Sequence, residues 1–171
     1  MKEKKTPNYP SDISKGLSQS FLSVNGRLDK QAESLIGIIL STTKTQIFWK
    51  DTDRRFLGVN KAFLDYYGFP NESVLIGKTD EDMGWHPDPG PYENDEERVI
   101  KEGASTFRVP GKCVAKGEVR DIVASKAPLI VDGKIVGLVG SFEDVTLEHR
   151  QQEKIAQLNQ SLEKQVADHD Q

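Results

Sequence analysis

Residues Lys126 to Thr146 read KAPLIVDGKIVGLVGSFEDVT, and the order of residue types in this stretch decides the fold. Lys126 to Leu129 completes an extended run that opens at Glu118. Asp132-Gly133 is the dipeptide of a tight β-hairpin turn. Lys134 to Phe142 then returns as a strand, near-continuously apolar through Ile135-Val136-Gly137-Leu138-Val139-Gly140. Such a strand is central in its sheet, and its glycines admit a close neighbour packed on it. Gly133 to Gly140 lacks the Lys-Ser/Thr ending of a phosphate loop and does not lead into a helix, so it is strand and not a nucleotide cradle.

Working outward, Ser105 to Val109 and Glu118 to Leu129 are expected as strands flanking a Pro110-Gly111 turn. Nearer the start, Gln46 to Lys50 and Arg55 to Val59 are β-branched and aromatic, and Asp51-Thr52-Asp53 between them supplies turn chemistry for an antiparallel hairpin. Between these hairpins the spacing becomes helical. Asn60 caps a helix through Tyr67, with Ala62, Phe63 and Tyr66 on one face, and Gly68 ends it. Pro70 to Ser73 starts a short helix, and Thr79 with Asp82 forms a capping box for another. Gly84 to Pro91 holds three prolines and is irregular. Tyr92 to Lys101 is helical up to Gly103. Two strands, several short helices and three strands predict an α+β domain over residues 45–146, built on one five-stranded antiparallel sheet with short helices on one face.

The flanks differ from this centre. Residues 1–14, with Pro7 and Pro10, read as a flexible lead. Over residues 15–40, Leu17, Phe21, Val24, Leu28, Leu35 and Ile38 fall on three- and four-residue steps, the seam of a short coiled coil. That helix either pairs protomers or covers the following domain. Over residues 147–171 a helix capped by Thr146 carries Ile155, Leu158, Leu162 and Val166 on an otherwise polar surface, which suits a projecting, pairing helix. Phe21, Leu28, Leu35, Ile155, Leu158 and Leu162 are therefore candidates for homodimer contacts.

Composition narrows the classes. The 171 residues are 36% hydrophobic and 29% charged, as in a globular chain. A net charge of −4 argues against a nucleic-acid partner, which calls for a basic patch. Cys113 is the single cysteine, so no internal disulfide is possible and a reducing, cytoplasmic setting fits. No apolar run reaches the length of a membrane span and no secretory leader is evident, so no membrane contact is expected of this segment.

Three stretches carry a family likeness. IFWKDTDRRFLGVNKAF (Ile47 to Phe63) resembles the opening hairpin and first helix of PAS (Per-Arnt-Sim) domains, GKTDEDM (Gly77 to Met83) their helical midsection, and Lys126 to Thr146 their closing hairpin. Asp144-Val145-Thr146 matches the Asp-x-Thr triad that joins such domains to an output helix. The resemblance implies a non-catalytic bacterial sensor with a pocket between the helices and the inner sheet face. Asp144 and Thr146 would be its signal-transmission junction, and histidine kinases or GGDEF-type diguanylate cyclases its effectors. The chain looks like a sensor segment, or a free-standing sensor, without its effector.

No cofactor is identified. Flavin photoreceptors of this family place a reactive cysteine in a helical Asn-Cys-Arg-Phe-Leu-Gln setting, which is absent, and Cys113 follows Pro110-Gly111 in a loop or strand edge. Haem is disfavoured because His86 precedes Pro87 in a loop and the Tyr92 to Lys101 helix has no histidine. The acidic residues Asp80, Glu81, Asp82, Asp88, Glu93, Asp95, Glu96 and Glu97 lack calcium-loop spacing and read as helix caps and a solvated face. Glu148-His149-Arg150-Gln151 lacks the proline-containing continuation of a kinase phosphoacceptor. Candidate pocket residues are Trp49, Phe63, Tyr67, Met83, Trp85 and Tyr92, whose rings either line a cavity or fill the core. Arg120, Ser125 and Lys126 are the sheet's polar contributors. Strand alternation puts either Arg120 or Asp121 inward, and an inward Arg120 requires an anionic ligand or an internal carboxylate. Two other readings remain: a constitutive dimerisation spacer with a filled core, and a docking domain that binds a protein on its sheet.

Overall fold

The computed structural model describes residues 30–170. Helix α1 (Lys30–Thr42) precedes β1 (Gln46–Asp51) and β2 (Phe56–Val59). Then come α2 (Lys61–Tyr67), a 3-10 turn at Glu72–Val74, α3 (Asp80–Met83) and α4 (Gly90–Glu102). Strands β3 (Thr106–Ala115), β4 (Glu118–Val131) and β5 (Lys134–Asp144) follow, and α5 (Thr146–His169) leaves the domain. The strands form one five-stranded sheet in the order β2-β1-β5-β4-β3, antiparallel throughout. The last strand in sequence is thus the middle one. Gly140 of β5 lies opposite Phe48 of β1, where a Cβ would fall 2.3 Å from the Phe48 ring. Only glycine lets that ring lie across the strand.

The caps read from sequence are in place. Asn60 Oδ1 accepts from Phe63 N at 3.1 Å and from Ile47 N at 2.9 Å, so one side chain starts α2 and fixes it to β1. Thr79 and Asp82 complete the reciprocal box at α3. Thr146 is not a cap. It is the first residue of α5, and its hydroxyl faces β4 instead.

Pro110-Gly111 is not a turn either. Both lie within β3, paired with Val123 and Ile122, and the chain reverses at Lys116-Gly117. An edge strand tolerates the missing N–H of Pro110, and a bulge between Thr106 and Val109 bends it.

The two faces of the sheet have separate cores. On the inner face Phe48, Phe56, Ile122, Leu138 and Phe142 pack against Phe63, Leu75, Trp85 and Val99 of the helical segment. On the outer face Trp49 packs with Leu40 and Ile36 of α1 and with Ile47 and Leu57. Helix α1 therefore covers part of the sheet while Leu35 and Ile39 stay exposed. Phe21 and Leu28 lie outside the described residues. On α5, Ile155, Leu158, Leu162 and Val166 are each more than half exposed. Among the described residues no helix is long and apolar enough to cross a membrane.

Candidate functional site

The inner face carries charge as well as aromatic rings. Alternation along β1 turns Phe48 and Lys50 inward. Lys50 Nζ donates to Asp80 Oδ2 at 2.5 Å and to Glu96 Oε1 and Oε2 at 2.5 and 2.9 Å. Asp80 opens α3 and also accepts from Trp85 Nε1 at 3.0 Å, while Glu96 projects from α4. Arg54 reaches in from the β1–β2 turn, donating to Glu81 at 3.2 Å and lying 3.7 Å from Glu96 and 3.8 Å from Asp80. Burial opposes ionisation of Asp80, but Lys50 and His86 outweigh it and hold the carboxyl below its usual range. For Glu96 burial wins over the pull of Lys50 and Lys126, and its pKa is raised. Reading these acids as a solvated face is thus wrong for Asp80 and Glu96, whose partners lie 30 and 46 residues away in sequence.

Lys126 occupies the same face on β4, opposite Gly140 of β5. Its side chain is 3% exposed, yet the nearest carboxylate oxygens among the described residues are Asp95 Oδ2 at 3.7 Å and Glu96 Oε1 at 4.0 Å. Both exceed hydrogen-bond range. The ammonium sits 5.3 Å from the centre of the Tyr92 ring. Burial lowers the Lys126 pKa against the attraction of Glu96.

Two spaces meet at Lys126. The inner one is bounded by Phe63, Tyr67, Trp85 and Tyr92 with Lys50 and Lys126, and its volume is only about 30 Å³. That is room for roughly one or two waters. The aromatic rings largely fill it, with Tyr67 stacked on Trp85 at 4.3 Å and Phe63 edge-on to Trp85 at 5.7 Å. The outer space is a cleft of about 200 Å³ between the start of α4 and β3, walled by Pro87, Pro91, Tyr92, Val109 and Pro110. Tyr92 is held there by its hydroxyl, which donates to Lys112 O at 2.8 Å, by His86 stacked at 3.7 Å, and by Gly111 beneath it.

Of the candidates from sequence, Phe63, Tyr67, Trp85 and Tyr92 come together at the inner space. Met83 packs against the core without lining either space. Trp49 belongs to the opposite face, because the parity that turns Lys50 inward turns Trp49 out. Ser125 also lies on the other face from Lys126, with its Oγ accepting from Arg108 N at 3.0 Å. Arg120 shares the inward row with Ile122, but its Nε donates to Asp144 Oδ2 at 2.7 Å. The internal carboxylate is therefore the partner it requires.

That ion pair belongs to the base of α5. Asp144 Oδ2 also accepts from the Tyr66 hydroxyl at 2.7 Å, and Asp144 Oδ1 from Thr146 N at 2.9 Å. Although burial works the other way, Arg120, Thr146 and Tyr66 hold the Asp144 carboxyl well below its usual range. Thr146 Oγ1 accepts from Asp121 N at 2.8 Å, and Val145 N donates to Asp121 O at 2.8 Å, which pins the start of α5 to β4. Tyr66 neighbours Tyr67 of the cavity wall and packs on Phe142 at 5.1 Å. A path thus runs from the aromatic wall by ring contact to Tyr66, and from Tyr66 by hydrogen bonds to the exit helix.

A five-stranded antiparallel sheet with short helices on one face, and a helix leaving through Asp144-Val145-Thr146, is an α+β architecture. Residues 42–150 match the family described as PAS fold, and the chain belongs to that family. Among solved structures it is similar to VqmA of Vibrio cholerae (23% identity, TM-score 0.56), covering 70% of this chain and 52% of that one. It is likewise similar to the PAS domain of Bordetella pertussis BvgS (20% identity, TM-score 0.50), covering 74% and 96%. An RNA-binding light-oxygen-voltage receptor matches at 17% identity and TM-score 0.63, covering 82% and 41%. The chain spans about half the length of VqmA, and identities of this order show a shared fold. No curated protein sequence matches the chain.

These relatives correct the exclusion of nucleic acid drawn from the net charge. VqmA is solved in a complex with ligand and DNA, and the light-oxygen-voltage receptor binds RNA. A basic patch is required only of the surface that touches nucleic acid, so the net charge of a whole chain does not exclude that partner.

Proposed function

We propose that this chain is a non-catalytic regulatory PAS domain of a cytoplasmic bacterial signalling protein. It takes a small molecule at the inner face of its sheet and passes the change through α5 to an output, in a homodimer paired by its flanking helices. The observation that carries this reading is the path from the aromatic wall through Tyr66 to Asp144, Arg120 and Thr146 at the foot of α5. The exposed Ile155, Leu158 and Leu162 of α5, together with Leu35 of α1, supply the pairing surface. VqmA, which shares the fold, is solved bound to DPO and also with DNA. The output joined to α5 is accordingly a kinase or cyclase, as the sequence resemblance implies, or a nucleic-acid-binding module.

The small inner cavity favours a second reading, a constitutive dimerisation spacer. Native mass spectrometry of the purified protein, compared with its denatured mass, separates the two. A dimer carrying an additional non-covalent mass is expected for the sensor, and a bare dimer supports the spacer. Within the sensor, Asp144→Ala is expected to keep the fold and abolish the response of a fused reporter. A normal response would remove the junction role.

A further inference from the structure

Buried ammonium groups are retained when something accepts their hydrogen bonds. Lys50 meets that condition within the chain through Asp80 and Glu96. Among the described residues Lys126 does not: it is equally buried, its nearest carboxylate oxygen is 3.7 Å away, and it lines the cleft between α4 and β3. Charge points the same way. The side chains of Lys50, Arg54 and Lys126 are at most 9% exposed, and the carboxylates buried to the same degree beside them are Asp80 and Glu96. Arg54 is in addition hydrogen-bonded to Glu81, so among the described residues Lys126 is the buried cation whose carboxylate partners all lie beyond hydrogen-bond range, and it lies at the side that opens to the cleft.

We propose that this cleft binds a small monocarboxylate whose oxygens accept from Lys126 Nζ and whose apolar body lies against Tyr92, Val109 and the surrounding prolines. The proposal rests on the sensory reading and names the ligand class for it. The cleft's volume of about 200 Å³ selects a compact molecule, below the roughly 300–1,000 Å³ of drug-sized sites. Asp88 and Asp95 in the wall disfavour a second negative charge on the ligand. The apolar wall has no cation of its own to spare, because Lys112 is already paired with Asp121 at 2.6 Å. Binding places the carboxylate beside Tyr92 and the inner aromatic cluster, which includes Tyr66 and Tyr67, and so at the head of the path to Asp144.

Benzoate and propionate are the probes, titrated into the whole chain while amide NMR signals are followed. Saturable shifts are expected at Tyr92, Val109, Gly111, Ala124 and Lys126 for at least one acid. Affinity for that acid should be at least about tenfold above that for its neutral amide, because the ionised acceptor makes the stronger hydrogen bond. Lys126→Met is expected to lose that binding by a similar factor. Val109→Trp blocks the mouth with Lys126 in place and should lose it too. Unchanged binding in Lys126→Met, equal affinity for acid and amide, or no saturable shift with either acid would each overturn the proposal. If native mass spectrometry still finds a carried molecule in that last case, only the Lys126 anchor falls. If the dimer is also bare, the sensory reading falls with it.

Discussion

Lys50 and Lys126 are the same residue type on the same face of one sheet, separated by strand β5, and they are used in opposite ways. Around Lys50 the chain supplies every acceptor: Asp80 from α3 and both oxygens of Glu96 from α4. Around Lys126 the described residues supply the more distant carboxylates of Asp95 and Glu96, the face of Tyr92 and an open cleft. The contrast shows how one fold separates structure from response. A saturated buried pair ties helices to sheet, whereas an unsaturated one leaves a site to be completed from outside.

The largest expected effect breaks the saturated side. Lys50→Met leaves Asp80 and Glu96 buried without the ammonium hydrogen-bonded to both, and removing one member of a buried pair destabilises by about 3–5 kcal/mol. Urea unfolding measures it, and a loss as small as that of Lys126→Met would erase the distinction between the two lysines. Glu96→Gln sits between the regions, since Glu96 touches both lysines. It keeps one acceptor for Lys50 and removes the charge, so a loss of about 1.5–3 kcal/mol is expected. Lys126→Met replaces a buried ammonium whose carboxylate partners among the described residues lie beyond hydrogen-bond range with an apolar chain of similar volume. Stability should change by less than about 1.5 kcal/mol in either direction.

The smallest effect is in pH. His86 lies between the regions, stacked on Tyr92, with Nε2 3.8 Å from Asp80 and Nδ1 3.1 Å from Lys112 O. Its pKa is lowered from 6.5 because burial, with Lys50 and Lys126 nearby, outweighs the pull of Asp80 and the Lys112 carbonyl. As pH falls through 6.5 the unfolded chain takes up a proton that the folded chain resists. Stability therefore declines below that value until the folded histidine also protonates. Urea midpoints taken between about pH 8 and 5 should show this slope, and His86→Asn should flatten it. A slope unchanged in the variant would assign the titration elsewhere.

The strand pattern and the caps were legible because they are local. Asp132-Gly133 fixes the β4–β5 hairpin, and Asn60, Gly68, Thr79 and Gly103 punctuate the helices where expected. Where the reading failed, the deciding contact was distant. Pro110-Gly111 looks like a turn until β3 is known to be the edge strand. Both rows of β1 hold an aromatic residue, Phe48 or Trp49, so parity alone could not choose the inner one. The choice is made by Asp80 and Glu96, which draw Lys50 inward. A lysine alternating with Phe48 in β1, with acids on later helices, was the available signal. Asp144 and Thr146 were legible as a motif, whereas their link to Tyr66 spans 78 residues and has no local signature.

The account stands on the claim that the state of the cleft is felt at the foot of α5. Hydrogen–deuterium exchange of the whole protein, with and without saturating benzoate, tests it at the amides of Asp121, Val145 and Thr146. The expected result is a change in protection at those three amides that Lys126→Met removes. Saturation of the cleft with protection at the junction unchanged would contradict the claim.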